Sequence, residues 1–308
     1  MLRTPGGKRM GSISGGCLEE DVLIHAEKVA ADGKPGLFLY DTTPENDLVW
    51  GAGQGCRGVV QVFLERLPRN PAWAVALAAN LDAGRPTELE VVWEAEDPAE
   101  LGTRLGNDGE GVAPLPVKFA ANLTSNGATP SVFRERIDPP PALFIFGAGD
   151  DAQPLAAFAS NLGLRVTVAD PRSALATAAR FPEATLIATG TAETLVGRVS
   201  PRAGALAVVM THQFAHDLRL LRDLLPLPLG YLGLLGPRQR ADRILEDLGA
   251  GGFPITPAMR GGLHAPVGLD LGANSPEEVA LSILSEIQAS LSGRSARPLR
   301  EKEGSIHG

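Results

Sequence analysis

The pattern of hydrophobic and polar positions changes at Ile137-Asp138-Pro139-Pro140-Pro141. Consecutive prolines favour a stiff, extended path and cannot sit inside a helix, so this stretch reads as a linker. After it, short apolar runs alternate with segments of helical spacing. Residues 143–146 form a continuous apolar run, as in a strand covered on both faces. The spacing predicts a helix over 152–162 and a strand over 165–170. Further strands fit 185–188, 205–210 and 230–232, with helices between them, and a last helix runs from 276 to about 291. Such alternation implies an α/β domain over 142–291, a Rossmann-type, doubly wound parallel sheet.

Before the linker the pattern is mixed and predicts a smaller α+β module over 1–136. A strand around 9–13 leads into a helix over about 18–31, followed by strands near 37–41 and 59–64. A helix over about 72–83 and a strand near 88–93 complete the periodic part. Residues 97–129 are rich in Gly, Pro, Asn and Asp and read mostly as loop. The charged, Gly- and Ser-containing stretch 292–308 reads as a disordered tail.

Composition narrows the classes. With 308 residues, 44% hydrophobic and 21% charged, the chain suits two globular domains. No apolar run is long enough to span a bilayer, and MLRTPGGKRM lacks the apolar segment of a secretory signal. The expectation is a cytoplasmic protein without a membrane partner. A net charge of −8 speaks against a nucleic-acid partner, since phosphate backbones are held by clustered Lys and Arg. Two cysteines are too few for a disulfide framework or a four-sulfur zinc site.

The candidate chemistry begins after the first strand of the second domain, at Gly147-Ala148-Gly149-Asp150-Asp151-Ala152. Gly147 permits a tight turn, Gly149 lets backbone N–H groups approach a phosphate, and Ala152 fills the third fingerprint position. Asp170 ends the next strand, 23 residues after Gly147, where an acid usually holds a ribose hydroxyl. The alternative is that the glycines serve only close strand–helix packing. Asp150 and Asp151 also place negative charge beside the phosphate position, against a pyrophosphate ligand.

Both cysteines lie in glycine-rich loops. Gly11-Ser12-Ile13-Ser14-Gly15-Gly16-Cys17 leads into a helix, whose dipole favours a thiolate in its first turn. The second loop, Gly51-Ala52-Gly53-Gln54-Gly55-Cys56-Arg57-Gly58, sets an Arg beside the thiol. Free cysteines are often small buried residues, which is the competing reading. A reactive thiolate would suit molybdenum contact, persulfide or redox chemistry, and the residues do not choose among these. Further candidates lie elsewhere in the second domain. His212 follows an apolar strand, at the sheet edge where α/β proteins bind ligands; the alternative is a His that caps the next helix. Arg238 and Arg240 open a helix and suit a phosphate, the alternative being ordinary exposed helix arginines. His264 and Gly268 lie in a loop that suits a cleft, while Glu277 and Glu278 read as a helix start.

Taken together these segments resemble the XdhC/CoxI family, the accessory proteins of xanthine dehydrogenase and related molybdenum hydroxylases. GSISGGCLEEDV at 11–22, GAGQGCRGVVQVFLE at 51–65 and FGAGDDAQPLA at 146–156 carry the resemblance. VTVADPR at 166–172, ARFPEA at 179–184 and VMTHQFAHDLRLLRDLL at 209–225 continue it. YLGLLGPRQR at 231–240 and LHAPVGLDLGANSPEEVALSILSEI at 263–287 complete it. The resemblance implies a carrier that holds molybdenum cofactor (molybdopterin), guards it during sulfuration by a cysteine desulfurase, and delivers it to the hydroxylase. It further implies a homodimer, and the expectation is a cofactor chaperone and not an enzyme with its own turnover. The sequence departs from the family in two places. It begins within a segment usually preceded by a helix and a strand, and Gly55-Cys56-Arg57-Gly58 stands where the family usually has GCGG. An NAD(P)-dependent oxidoreductase and a scaffold bridging desulfurase and hydroxylase are the rival readings.

Overall fold

The computed structural model describes residues 1–14, 16, 18–41, 59–106 and 131–304. They fall into two compact units, Met1–Pro139 and Pro140–Gly308.

In the first unit, β1 (Leu2–Arg3) and β2 (Arg9–Met10) pair as a short antiparallel hairpin. The strand expected over 9–13 stops at Met10 because Gly11 turns the chain at φ 73°. Helix α1 (Glu19–Asp32) packs Val22 against Tyr40 and Val62 of the antiparallel pair β3 (Gly36–Asp41) and β4 (Val59–Leu64). Helix α2 (Ala72–Asp82) precedes a three-stranded antiparallel sheet. Its central strand is β5 (Thr87–Glu94), flanked by β6 (Gly102–Leu105) and β7 (Ser131–Ile137). Residues 97–106, read as loop, contain a 3-10 turn at Pro98–Glu100 and the edge strand β6. Glu90 of β5 lies opposite Arg104 and Arg134 and binds them at 3.1 and 2.8 Å. The bond from Arg134 leads in holding its carboxyl below the usual range, against the opposing effect of burial. One acid on the middle strand thereby pins both neighbours in register.

The second unit contains a six-stranded parallel sheet. Its strands are β8 (Ala142–Phe146), β9 (Arg165–Asp170), β10 (Leu186–Thr189), β11 (Leu206–Val209), β12 (Tyr231–Leu234) and β13 (Leu263–His264). They are ordered β10-β9-β8-β11-β12-β13, the doubly wound arrangement with its reversal between β8 and β11. Alternate side chains of β8 enter opposite cores, Leu143 and Ile145 on one face and Phe144 and Phe146 on the other. The first core is closed by α3 (Ala152–Asn161) and α8 (Pro276–Ser292). The second is closed by α4 (Ala192–Val199), α5 (Phe214–Leu224) and α6 (Arg238–Ala250), with α7 (Pro257–Gly262) alongside. Burial on both faces is why these strands read as continuous apolar runs.

Helix α8 starts as its sequence predicts. Ser275 and Glu278 form a reciprocal capping box, with Pro276 in the first turn. It ends at Gly293, φ 62°, and the following stretch carries a 3-10 turn at Leu299–Glu301. Among the described residues, no helix is long and apolar enough to cross a membrane.

Candidate functional site

Where the strand order reverses, the loop after β8 meets the loop after β11. Gly147 has φ 132°, and a Cβ there would lie 2.4 Å from the Met210 carbonyl oxygen. Only glycine lets the two loops approach this closely. The turn is fixed on its other side by β9. Gly147 N–H donates to the Ala169 carbonyl at 2.9 Å, and Ala148 N–H donates to Asp170 Oδ2 at 2.7 Å.

Asp170 is fully buried. Its carboxylate also accepts from the Arg172 backbone N–H at 2.7 Å, from Nε at 2.9 Å and from Nη2 at 2.7 Å. Burial works to raise its pKa, but the Arg172 bonds and the Ala148 N–H together bring it below the ordinary value. The acid stands at the end of β9 as the sequence predicts, yet its oxygens hold the turn and Arg172. A ribose diol would have to displace one of these bonds.

The two acids read as hostile to phosphate each have a basic partner. Asp150 pairs with Arg180 at 2.8 Å, and the same guanidinium donates to the Ala148 carbonyl at 3.2 Å. Asp151 Oδ2 lies 2.7 Å from His212 Nε2, across the reversal point. His212 holds a left-handed backbone, φ 60°. Preceding it, Thr211 is buried and donates to Asp217 Oδ1 at 2.5 Å. Arg240 reaches Asp217 Oδ2 through Nε at 2.9 Å and Nη2 at 2.5 Å, and lies 5.8 Å from the Phe214 ring centre. Gly147, Gly149, Asp170 and His212 are therefore gathered at one end of the sheet. Arg240 is turned inward onto an acid, and Arg238 is exposed; the two do not form an open clamp.

His264 and Gly268 belong to a second cluster, at the β12–β13 edge. Glu286 of α8 accepts from Tyr231 Oη at 2.5 Å and from Gly268 N–H at 2.8 Å, and lies 3.1 Å from His264 Nδ1. His264 stacks on Tyr231 with ring centres 4.3 Å apart. Burial opposes ionisation of Glu286, but the Tyr231 bond and its companions hold its pKa low. Sequence reading passed over Glu286; its signal is an acid within the apolar stripe of Ile283, Leu284 and Ile287.

In the first unit, Glu19 organises the loop ahead of α1. Its carboxylate accepts from the backbone N–H groups of Ile13 at 3.1 Å and Ser14 at 2.8 Å, and from Ser14 Oγ at 2.6 Å. Ser14 Oγ in turn accepts from Leu18 N–H at 3.1 Å. The Ser14 hydroxyl, then the Ser14 N–H, bring the Glu19 carboxyl down to about 2. Gly16 has φ 116°, beyond the reach of most side chains. Gly15, Cys17, Gly53, Gly55 and Cys56 lie outside the described residues. Among the described residues, no group of three or more His, Cys, Asp or Glu side chains is placed to hold a metal.

Comparison with known proteins matches both units. Residues 143–287 match the XdhC Rossmann domain, and residues 1–41 match the XdhC and CoxI family. A probable xanthine dehydrogenase subunit of Bacillus subtilis (strain 168) is 34% identical over 293 residues, 93% of this chain and 86% of that protein. An uncharacterized protein of Escherichia coli (strain K12) is 32% identical over 162 residues, 52% of this chain and 29% of that one. The crystal structure of a xanthine dehydrogenase from Bacillus halodurans superposes with TM-score 0.76 at 30% identity, covering 96% of this chain and 88% of the other. The fold, the ordered motifs and this similarity along nearly the whole length place the chain in the XdhC and CoxI family.

Proposed function

We propose that the protein is a cytoplasmic maturation factor for a xanthine dehydrogenase-type molybdenum hydroxylase. It binds molybdenum cofactor as cargo, assists sulfuration by a cysteine desulfurase, delivers the product, and works as a homodimer. The observation that carries this reading is the similarity over 93% of the chain to a protein named for xanthine dehydrogenase. The site supports it in a second way. The reversal point gathers Gly147, Gly149 and His212 at one end of the sheet, whereas Asp170 is committed to Arg172 and the turn. That commitment disfavours the ribose grip of an NAD(P) enzyme. The glycine–cysteine loops at Cys17 and Cys56 supply the candidate thiolates for metal or sulfur contact.

Purification from a host that makes the cofactor tests the proposal. Bound molybdopterin and molybdenum are the expected result. Absence of both, in material that still activates the hydroxylase, favours a scaffold. A nicotinamide-dependent activity favours the oxidoreductase.

A further inference from the structure

Among the described residues, the faces of α3 and α8 that turn away from the sheet carry exposed apolar side chains. Phe158, Leu162 and Leu281 are 37%, 61% and 55% exposed, and they border a groove whose lining includes Leu284, Ser285 and Ala289. Leu281 stands out from the helix, while Ser285 and Ala289, one and two turns further on, are small and leave a hollow. Charge is arranged along the same helix. Glu277 is exposed in the first turn, and Arg294 and Arg297 line the groove beyond the last turn. At a rise of ~1.5 Å per residue, the acidic and basic ends are about 25 Å apart.

We propose that two copies of the chain pair through this face, α8 against α8, antiparallel about a two-fold axis near Ser285. Each Leu281 then enters the hollow at the partner's Ala289, and each Glu277 meets the partner's Arg294 and Arg297. A two-fold contact requires a surface complementary to itself. An apolar stripe with opposite charges at its two ends meets that requirement in the antiparallel arrangement; a parallel one sets like charges together. A different protein would need no such symmetry in this face. The inference gives a surface to the pairing in the proposed function and rests on that reading.

Sedimentation of the full chain over a micromolar concentration series tests it, with circular dichroism to confirm that each variant is folded. The wild type is expected as a dimer. Leu281→Asp and Glu277→Arg should each weaken association at least about tenfold. Combining Glu277→Arg with Arg294→Glu and Arg297→Glu should restore it. A monomeric wild type overturns the pairing itself. A dimer indifferent to Leu281→Asp overturns this surface while leaving pairing through another. Loss with Leu281→Asp but no restoration on charge exchange overturns the antiparallel arrangement.

Discussion

Asp151 and His212 join the two loops that flank the reversal of strand order, with Oδ2 and Nε2 2.7 Å apart. One belongs to the start of the α3 helix and the other follows β11, so their pair spans the crevice where open α/β sheets hold ligands. The imidazole is largely exposed, and exposed pairs contribute little to stability, on the order of 0–1 kcal/mol. Asp151→Asn is therefore expected to leave the urea midpoint almost unchanged. By removing a negative charge from the crevice it should increase molybdopterin recovered with the purified protein. A fall in that recovery would count against the crevice as the anion site.

The backbone at His212 gives a separate expectation. At φ 60° a β-branched residue is strained, whereas Asn adopts the left-handed region readily. His212→Val should cost roughly 1–2 kcal/mol more than His212→Asn in urea denaturation, although Val is the more apolar.

Gly147→Ala is expected to be severe. Its Cβ would meet backbone at 2.4 Å, and backbone cannot swing aside as a side chain can. A cost above about 3 kcal/mol, or insoluble protein, is expected. Gly163 is the control: its φ is also positive, 84°, but an added Cβ finds open space. Gly163→Ala should cost only about 1 kcal/mol. Similar losses at both positions would refute the steric account.

Arg240 and Asp217 form an ion pair with the acid fully buried. Removing one partner leaves an uncompensated charge, so Arg240→Met should destabilise by about 3 kcal/mol or more. Adding Asp217→Asn to that variant should recover part of the loss, and thermal denaturation of the wild type and the two variants measures it.

Glu19 predicts a pH signature. Its folded pKa of about 2 lies below the ordinary 4.5, so its contribution is present above about 4.5 and is lost as pH falls through about 2. Glu19→Gln should lower stability at neutral pH and flatten the acid dependence in that window. Denaturant titrations at a series of pH values read this directly. Parallel curves for variant and wild type would show that the loop does not depend on the carboxylate.

The Rossmann sheet was legible because both its faces are covered, so each strand stands out as an uninterrupted apolar run such as Leu143 to Phe146. Edge strands carry no such mark. Strand β7 has Arg134, Glu135 and Arg136 in its second half, and β6 is four residues long, so neither stood out beside the proline linker and the glycine-rich stretch. The candidate residues were legible in position but not in orientation. Asp170 sits where the spacing put it, but its partner Arg172 turns it toward the protein. Arg240 likewise follows the turn as read, but Asp217, 23 residues earlier, draws it inward. Glu19 and Glu286 were missed because a carboxylate that gathers loop N–H groups leaves no periodic trace. These pairings come from folding, and no local window of sequence contains them.

The bond from Ala148 N–H to Asp170 has a consequence for the energetics of capture. A glycine turn left to itself samples many shapes, and a ligand that had to order it would lose affinity in doing so. Here β9 immobilises the turn through a buried carboxylate, and the end of β11 presses on it from the other side. The crevice wall is thus preorganised: its loss of freedom occurs when the domain folds, so a ligand bound there would not have to order it.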